Sequence, residues 1–372
     1  MVRVLFLINN LAGGGAERVL VNLVNELSKG SYEITVRTLA DVGENKKNLS
    51  DRIKYEYVYK KEFKGLNYLY LLPHKYIYNK VAGGEFDVII VYLHGVLTRI
   101  VSYAPNKQRT IAYLHANMEK SPFMKQLGDR ERIKECFKNY NRIVAVSEEV
   151  KDSFVRVSGI QENVCVKYNT FSTENIRKKS EDVVDDKKII KGDINLCSVG
   201  KLESVKGYMR LLKVIKRLID EKMDVCLNLI GEGNERKELE KYIYDNNLHN
   251  NVLLVGFDIN PYKYIKRSNL FVCSSYSEGF SSVVAESLIL GVPVLTTDCA
   301  GMKELLGAND EYGIIVNNDE EGLYEGVKKL VKDRQLLEYY RRMACERAKY
   351  FEPAKSVGEV EKMIKEVIEC QN

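Results

Sequence analysis

At 372 residues, with 45% hydrophobic and 29% charged residues, the chain is globular and long enough for two hydrophobic cores. Its 57 basic and 52 acidic residues leave a net charge of +5, too mild and too scattered for a nucleic-acid binder. The eight cysteines (Cys136, Cys165, Cys197, Cys226, Cys273, Cys299, Cys345, Cys370) stand singly, without a C-x-x-C pair and with only four histidines to complete a metal site, which fits a reducing compartment better than a disulfide scaffold.

Strand-like and helix-like segments alternate along the chain, the pattern of parallel sheets covered by helices. Residues 2–8 form an apolar strand too short for the core of a signal peptide. No stretch approaches the ~18 apolar residues of a membrane-crossing helix, so a cytoplasmic location is expected. Gly13-Gly14-Gly15 follows, and then Val19, Leu20, Leu23, Val24 and Leu27 recur at helical spacing as far as Lys29-Gly30. Residues 32–39, 86–93, 109–114 and 142–146 read as further strands.

The composition turns polar over residues 173–192, where Lys178, Lys179, Lys187, Lys188 and Lys191 are interrupted by Glu181, Asp182, Asp185 and Asp186. This reads as a solvated linker. The alternation then restarts with strands at 194–199, 225–230, 252–255, 270–273 and 293–296, and helices at 208–221, 236–246, 261–267 and 281–290. From residue 320 only helical periodicity remains, predicting three terminal helices, the last starting at Pro353.

Three motifs carry chemistry. Gly13-Gly14-Gly15-Ala16-Glu17 joins the first strand to the first helix, where glycines let backbone N–H groups approach a phosphate. A dinucleotide fingerprint is not met, because Arg18 stands at its third glycine; Asp41 remains as a mimic of the ribose-binding acid, so a dehydrogenase is demoted and not excluded. Gly200-Lys201-Leu202-Glu203-Ser204-Val205-Lys206-Gly207 places two lysines before a helix, where cations oppose the macrodipole unless an anion binds. Glu278-Gly279-Phe280-Ser281-Ser282-Val283-Val284-Ala285-Glu286 puts one carboxylate before a helix N-terminus. The other lies within an almost wholly apolar helix, where it requires a specific partner.

Taken together with Gly231-Glu232-Gly233 and Gly291-Val292-Pro293-Val294, these motifs make the whole chain resemble the retaining glycosyltransferases of family 4. The resemblance implies an α/β fold of two Rossmann-like domains (GT-B) with a cleft between them and a C-terminal helix crossing back to the N-terminal domain. It implies an acceptor domain at 1–175, a linker at 176–192, a nucleotide-sugar donor domain at 193–352 and the crossing helix at 353–372. It further implies that Gly14 and Gly15 face the donor diphosphate and the acceptor side, that Lys201 and Lys206 hold the diphosphate, and that Glu278 contacts a sugar hydroxyl. Gly279, Phe280 and Ser281 would close on sugar and phosphate, with Glu286 on the ribose. His115 is similar to the family's active-site histidine, His94 is a competitor at another strand end, and Glu17 and Asn117 fall to the acceptor. Lysine at position 201 departs from the family's usual arginine and gives up its bidentate fork.

No D-x-D occurs, so no metal is expected and fixed cations would take its place. The activity implied is retaining transfer of a hexose or N-acetylhexosamine from a nucleotide-diphosphate sugar, UDP-sugar favoured, to a saccharide acceptor in bacterial surface glycan assembly. Residues 55–80, from Tyr55 to Lys80, mix tyrosine, lysine and leucine in the manner of an anionic membrane interface, alternatively of a core-facing helix with a wet lysine edge. Membrane contact there implies a lipid-linked acceptor. The competing readings are a nucleotide-sugar epimerase or phosphorylase on the same fold and a non-catalytic partner subunit of another transferase.

Overall fold

The computed structural model describes residues 1–12, 14–105, 108–185 and 188–369; Gly13 of the first turn, Asp186 and Lys187 of the charged stretch and Cys370 lie outside the described residues. The chain forms two compact units, one of Met1–Phe171 with Pro353–Asn372, the other of Ser172–Glu352.

The first unit holds seven strands: β1 (Val2–Ile8), β2 (Tyr32–Ala40), β3 (Lys54–Tyr59), β4 (Val88–Val91), β5 (Thr110–Leu114), β6 (Arg142–Ala145) and β7 (Val164–Val166). They pair in parallel in the order β3-β2-β1-β4-β5-β6-β7. The central strands β4 and β5 are buried at every residue, which is why they read as unbroken apolar runs and not as alternation. The second unit has β8 (Ile194–Val199), β9 (Val225–Ile230), β10 (Val252–Gly256), β11 (Leu270–Cys273), β12 (Val294–Thr297) and β13 (Ile314–Val316), again parallel, in the order β10-β9-β8-β11-β12-β13. Its helix Tyr208–Asp220 seats Leu211, Leu212, Val214, Ile215 and Leu218 in the core at 0% exposure, each contributing about 1.5–3 kcal/mol of burial.

In both sheets the strand order reverses once, between β1 and β4 and between β8 and β11. Loops leaving the carboxyl ends of such strands diverge and open a crevice, the usual ligand position in open parallel sheets.

The last helix, Pro353–Glu369, belongs to the first unit, where Val360, Met363, Ile364 and Val367 are buried. Lys167 meets Glu359 at 3.5 Å, Thr170 meets Ser356 at 3.0 Å, and the Arg109 guanidinium donates to the carbonyls of Val367 and Ile368. Those carbonyls are among the last-turn acceptors that a helix leaves unpaired. As expected, Pro353 is the first helical residue, and helices Glu320–Lys332 and Arg334–Ala348 precede it.

Three strands escape the sequence pattern. β3 is an edge strand of mixed tyrosine and charge, and β7 and β13 have three residues each, too few for periodicity to show. The stretch read as a polar linker begins with an α-helix, Thr173–Ser180. It buries Thr173, Ile176 and Ser180, a helical stripe with a single apolar member, and its end is held by Asn260 and Arg267, which donate to the carbonyls of Lys179 and Ser180.

Candidate active site

In the second unit, the loops after β8 and β11 are sewn together at the point where the strand order reverses. After β8 the chain makes a 3-10 turn, Ser204–Lys206, and enters helix Tyr208–Asp220 through Gly207 in the left-handed conformation (φ +66°). A Cβ on Gly207 would lie 2.2 Å from the Ser274 carbonyl oxygen, so only glycine fits. The Ser274 hydroxyl donates to the Lys206 carbonyl at 2.9 Å, and the Tyr276 N–H to the Val205 carbonyl at 2.8 Å. Gly231 (φ +149°) closes against the same loop, its Cβ position 1.8 Å from the Gly200 oxygen.

This seam brings Lys206 and Glu278 together, Nζ to Oε1 at 2.7 Å, and the Ser275 hydroxyl donates to the same oxygen at 2.5 Å. Burial pulls the Lys206 ammonium down, but Glu278 and the Cys273 side chain push it up and the net shift is upward, so the cation is held charged. The Cys273 thiol, 4.0 Å from Glu278 Oε1, is raised by burial and by that carboxylate. A cavity of about 10 Å³, the size of one water, lies among Ser198, Lys206, Tyr208, Ser275 and Glu278.

The helix that follows, Ser282–Ile289, has Ser281 at its N-cap, and the buried hydroxyl of Ser281 has no hydrogen-bond partner among the described residues. Phe280 is buried beside it at 8% exposure. Glu286 is 3% exposed, and the Tyr262 hydroxyl donates to its Oε1 at 3.3 Å. Lys201, by contrast, is exposed and forms no ion pair among the described residues.

Sequence reasoning passed over Ser275, Tyr262 and Arg210. Arg210 is 4% exposed, donates to the carbonyls of Ser274 and Ser275 and to Asn318, and lies 3.8 Å from the Tyr276 ring centroid. It therefore braces the loop that carries Glu278. Burial lowers the affinity of its guanidinium for its proton. A signal existed: Arg210 sits on the same helical face as Leu211, Val214 and Leu218, where a charge is out of pattern.

In the first unit, Gly14 caps helix Gly15–Leu27 in an extended conformation, with Glu17 in the first turn. A Cβ on Gly14 would fall 2.1 Å from Glu17 Oε2. His115 follows β5, and its ring lies 4.9 Å from that of Tyr92. Its backbone N–H donates to His94 Nδ1 at 3.4 Å, so the two histidines treated as competitors are neighbours. Burial, and then the proximity of His94, push His115 down to about 3, with only a hydrogen bond to the Tyr92 backbone opposing; burial alone takes His94 to about 4. Both rings are neutral at physiological pH. His115 Nε2 is buried without a hydrogen-bond partner among the described residues. Asn117 Oδ1 accepts from the Glu119 N–H at 3.0 Å. Asp41 is committed elsewhere, to Lys46 at 2.7 Å and the Tyr55 hydroxyl at 2.9 Å, which removes the support for a ribose-binding acid.

Among the described residues no group of three or more His, Cys, Asp or Glu side chains gathers where a metal ion could be held, and no helix is long and apolar enough to cross a membrane.

Residues 13–175 match the family described as Glycosyltransferase Family 4, and residues 179–348 match Glycosyl transferases group 1. A Campylobacter jejuni protein named N-acetylgalactosamine-N,N'-diacetylbacillosaminyl-diphospho-undecaprenol 4-alpha-N-acetylgalactosaminyltransferase is 39% identical over 191 residues, 50% of each chain. The Staphylococcus aureus capsular polysaccharide biosynthesis glycosyltransferase CapM is 26% identical over 53% of each. The matched regions thus span about half the length of these relatives. In fold, the chain is similar to Anabaena Alr3699/HepE, solved with UDP and glucose, at a TM-score of 0.80 and 19% identity, covering 98% of this chain and 100% of that one. The two parallel sheets, the terminal helix returning to the first unit and family matches running from residue 13 to residue 348 lead to one conclusion: the chain belongs to glycosyltransferase family 4 and has the GT-B fold.

Proposed function

We propose that the protein is a retaining, metal-independent glycosyltransferase that moves a hexose or N-acetylhexosamine from a UDP-sugar to a lipid-linked saccharide in bacterial surface glycan assembly. The observation that carries this reading is the Lys206–Glu278 pair at the β8/β11 reversal, with buried Glu286 on the next helix. Lys206 offers a charged ammonium to the diphosphate, and Ser281 a buried hydroxyl at a helix N-terminus, where negative charge is favoured. Glu278 takes a sugar hydroxyl and Glu286 the ribose. By the resemblance, Gly14, Gly15 and Lys201 are assigned to the diphosphate, Gly279 and Phe280 to closing over it, neutral His115 to the sugar, and Glu17 and Asn117 to the acceptor.

In the reaction the bond from the anomeric carbon to the diphosphate oxygen breaks. The acceptor oxygen bonds to that carbon on the same face, and the acceptor proton passes to the departing phosphate. Fixed cations stabilise the leaving charge as it develops. UDP in the solved neighbour and an undecaprenol-linked acceptor in the relative's name support the choice of substrates.

Membrane contact is proposed through residues 55–80, which take in β3 from its second residue, a 3-10 turn Leu66–Leu71 and most of helix His74–Ala82. Ile77, Tyr78 and Val81 are buried, whereas Tyr57, Phe63, Tyr68, Leu71, Leu72 and Tyr76 are exposed among Lys60, Lys61, Lys64 and Lys75. Exposed apolar and aromatic side chains interspersed with lysines suit an anionic bilayer surface.

Turnover of UDP-sugars in EDTA, followed by NMR of the anomeric proton, tests the reaction. Products that keep the donor's configuration are expected; inverted products, or an absolute requirement for a divalent ion, would overturn it.

A further inference from the structure

Beyond the carboxyl ends of β1 and β4, the first unit encloses a pocket of about 140 Å³ whose walls include Asn9, Asn67, Tyr70, Arg99, Phe123 and Gln126. A cavity of about 150 Å³ accepts one six-membered ring, so this space suits a single sugar or phosphate group and not a longer glycan.

Its chemistry narrows the occupant. Among the described residues no carboxylate lines the pocket. The Arg99 guanidinium has no ion-pair partner among the described residues and lies over the Tyr70 ring, 3.7 Å from its centroid, a placement that leaves N–H groups for an anion. Asn9 also lines the pocket, its Oδ1 buried with no hydrogen-bond partner among the described residues. An anion is therefore wanted within one ring's width, with the Phe123 and Tyr70 rings beside it.

The pocket's outer wall adds a third requirement. The 3-10 turn Leu66–Leu71 that supplies Asn67 and Tyr70 leaves Tyr68 64% and Leu71 71% exposed, and Leu72 continues the strip. A fully water-soluble ligand has no use for that surface, whereas an alkyl chain leaving the pocket does.

We propose that this pocket binds the phosphate of an amphipathic glycosyl phosphate, with Arg99 on the phosphate and the alkyl chain along Leu71 and Leu72. The inference rests on the lipid-linked acceptor proposed above, but its test does not require turnover.

Decyl phosphate (below micelle formation) and glucose 1-phosphate are titrated calorimetrically into the full chain, with and without saturating UDP. Variants are Arg99→Gln and the pair Leu71→Ser/Leu72→Ser, with circular dichroism as the check on folding. Both ligands are expected to bind, decyl phosphate at least tenfold more tightly. Arg99→Gln should weaken both at least tenfold, and the leucine pair should weaken decyl phosphate alone. Unchanged binding in folded Arg99→Gln would overturn the site. Glucose 1-phosphate binding as tightly as decyl phosphate would overturn the amphiphile and leave a soluble sugar phosphate. If UDP fails to bind while Arg99-dependent binding persists, the donor reading falls and the pocket stands.

Discussion

Replacing Gly207 with alanine tests whether the seam between the two loops of the second unit is as tight as its geometry requires. The residue is left-handed at φ +66°, which costs a side-chain-bearing residue about 1–2 kcal/mol. The new Cβ would stand 2.2 Å from the Ser274 oxygen, a backbone atom that already accepts from Arg210 and cannot swing aside. Forcing that contact open adds about 1–3 kcal/mol of overpacking. The sum, about 2–5 kcal/mol, corresponds to a melting temperature roughly 5–15 °C lower for a unit of this size. The internal control is Gly358→Ala. Gly358 lies exposed inside helix Pro353–Glu369 with nothing within 4 Å of its Cβ position, so alanine there should stabilise by about 0.5–1 kcal/mol. Thermal melts followed by circular dichroism should move in opposite directions for the two variants. A Gly207→Ala protein that melts within a degree of wild type would refute the reasoning.

Lys206→Met leaves Glu278 without its cation. Because the two side chains are 25% and 11% exposed, a loss of about 2 kcal/mol is expected, below the 3–5 of full burial, and Lys206→Met/Glu278→Gln should recover at least half of it. A double-mutant cycle in urea showing no coupling would contradict the pairing. The histidine pair sets an acid limb: both are depressed in the folded chain (His115 to about 3, His94 to about 4) relative to an unfolded value near 6.5, so below pH ~6.5 the unfolded state binds more protons. Stability should be flat above pH 7 in this respect and fall below pH ~6.5, by up to about 1.4 kcal/mol per pH unit for each histidine, the loss through His94 ending at about 4 and that through His115 at about 3. Urea midpoints of His94→Gln/His115→Gln should lose that part of the slope, and an unchanged profile would show that the rings are not buried neutral.

What could be read from the sequence was what rests on local pattern. Unbroken apolar runs gave the central strands β1, β4, β5, β8 and β11, and glycine with lysine or glutamate at their ends marked the loops that hold Lys206 and Glu278. Edge strands β3, β7 and β13 escaped because few residues or mixed polarity leave no period to detect. The partners of the site were equally hidden. Ser275, Tyr262 and Asn318 reach Glu278, Glu286 and Arg210 only through folding, and no spacing announces them. Residues 55–80 show the limit of composition: one segment divides into an edge strand, a 3-10 turn and a half-buried helix, so part of its apolar content serves the core and part faces out.

The central claim is a metal-independent UDP-sugar site built on Lys206, Glu278 and Glu286, and calorimetric titration of UDP, GDP and ADP in EDTA tests it most directly. Selective binding of UDP is expected in wild type, lost by at least tenfold in a folded Glu286→Ala variant. Failure of all three nucleotides to bind, or equal binding by Glu286→Ala, would contradict it.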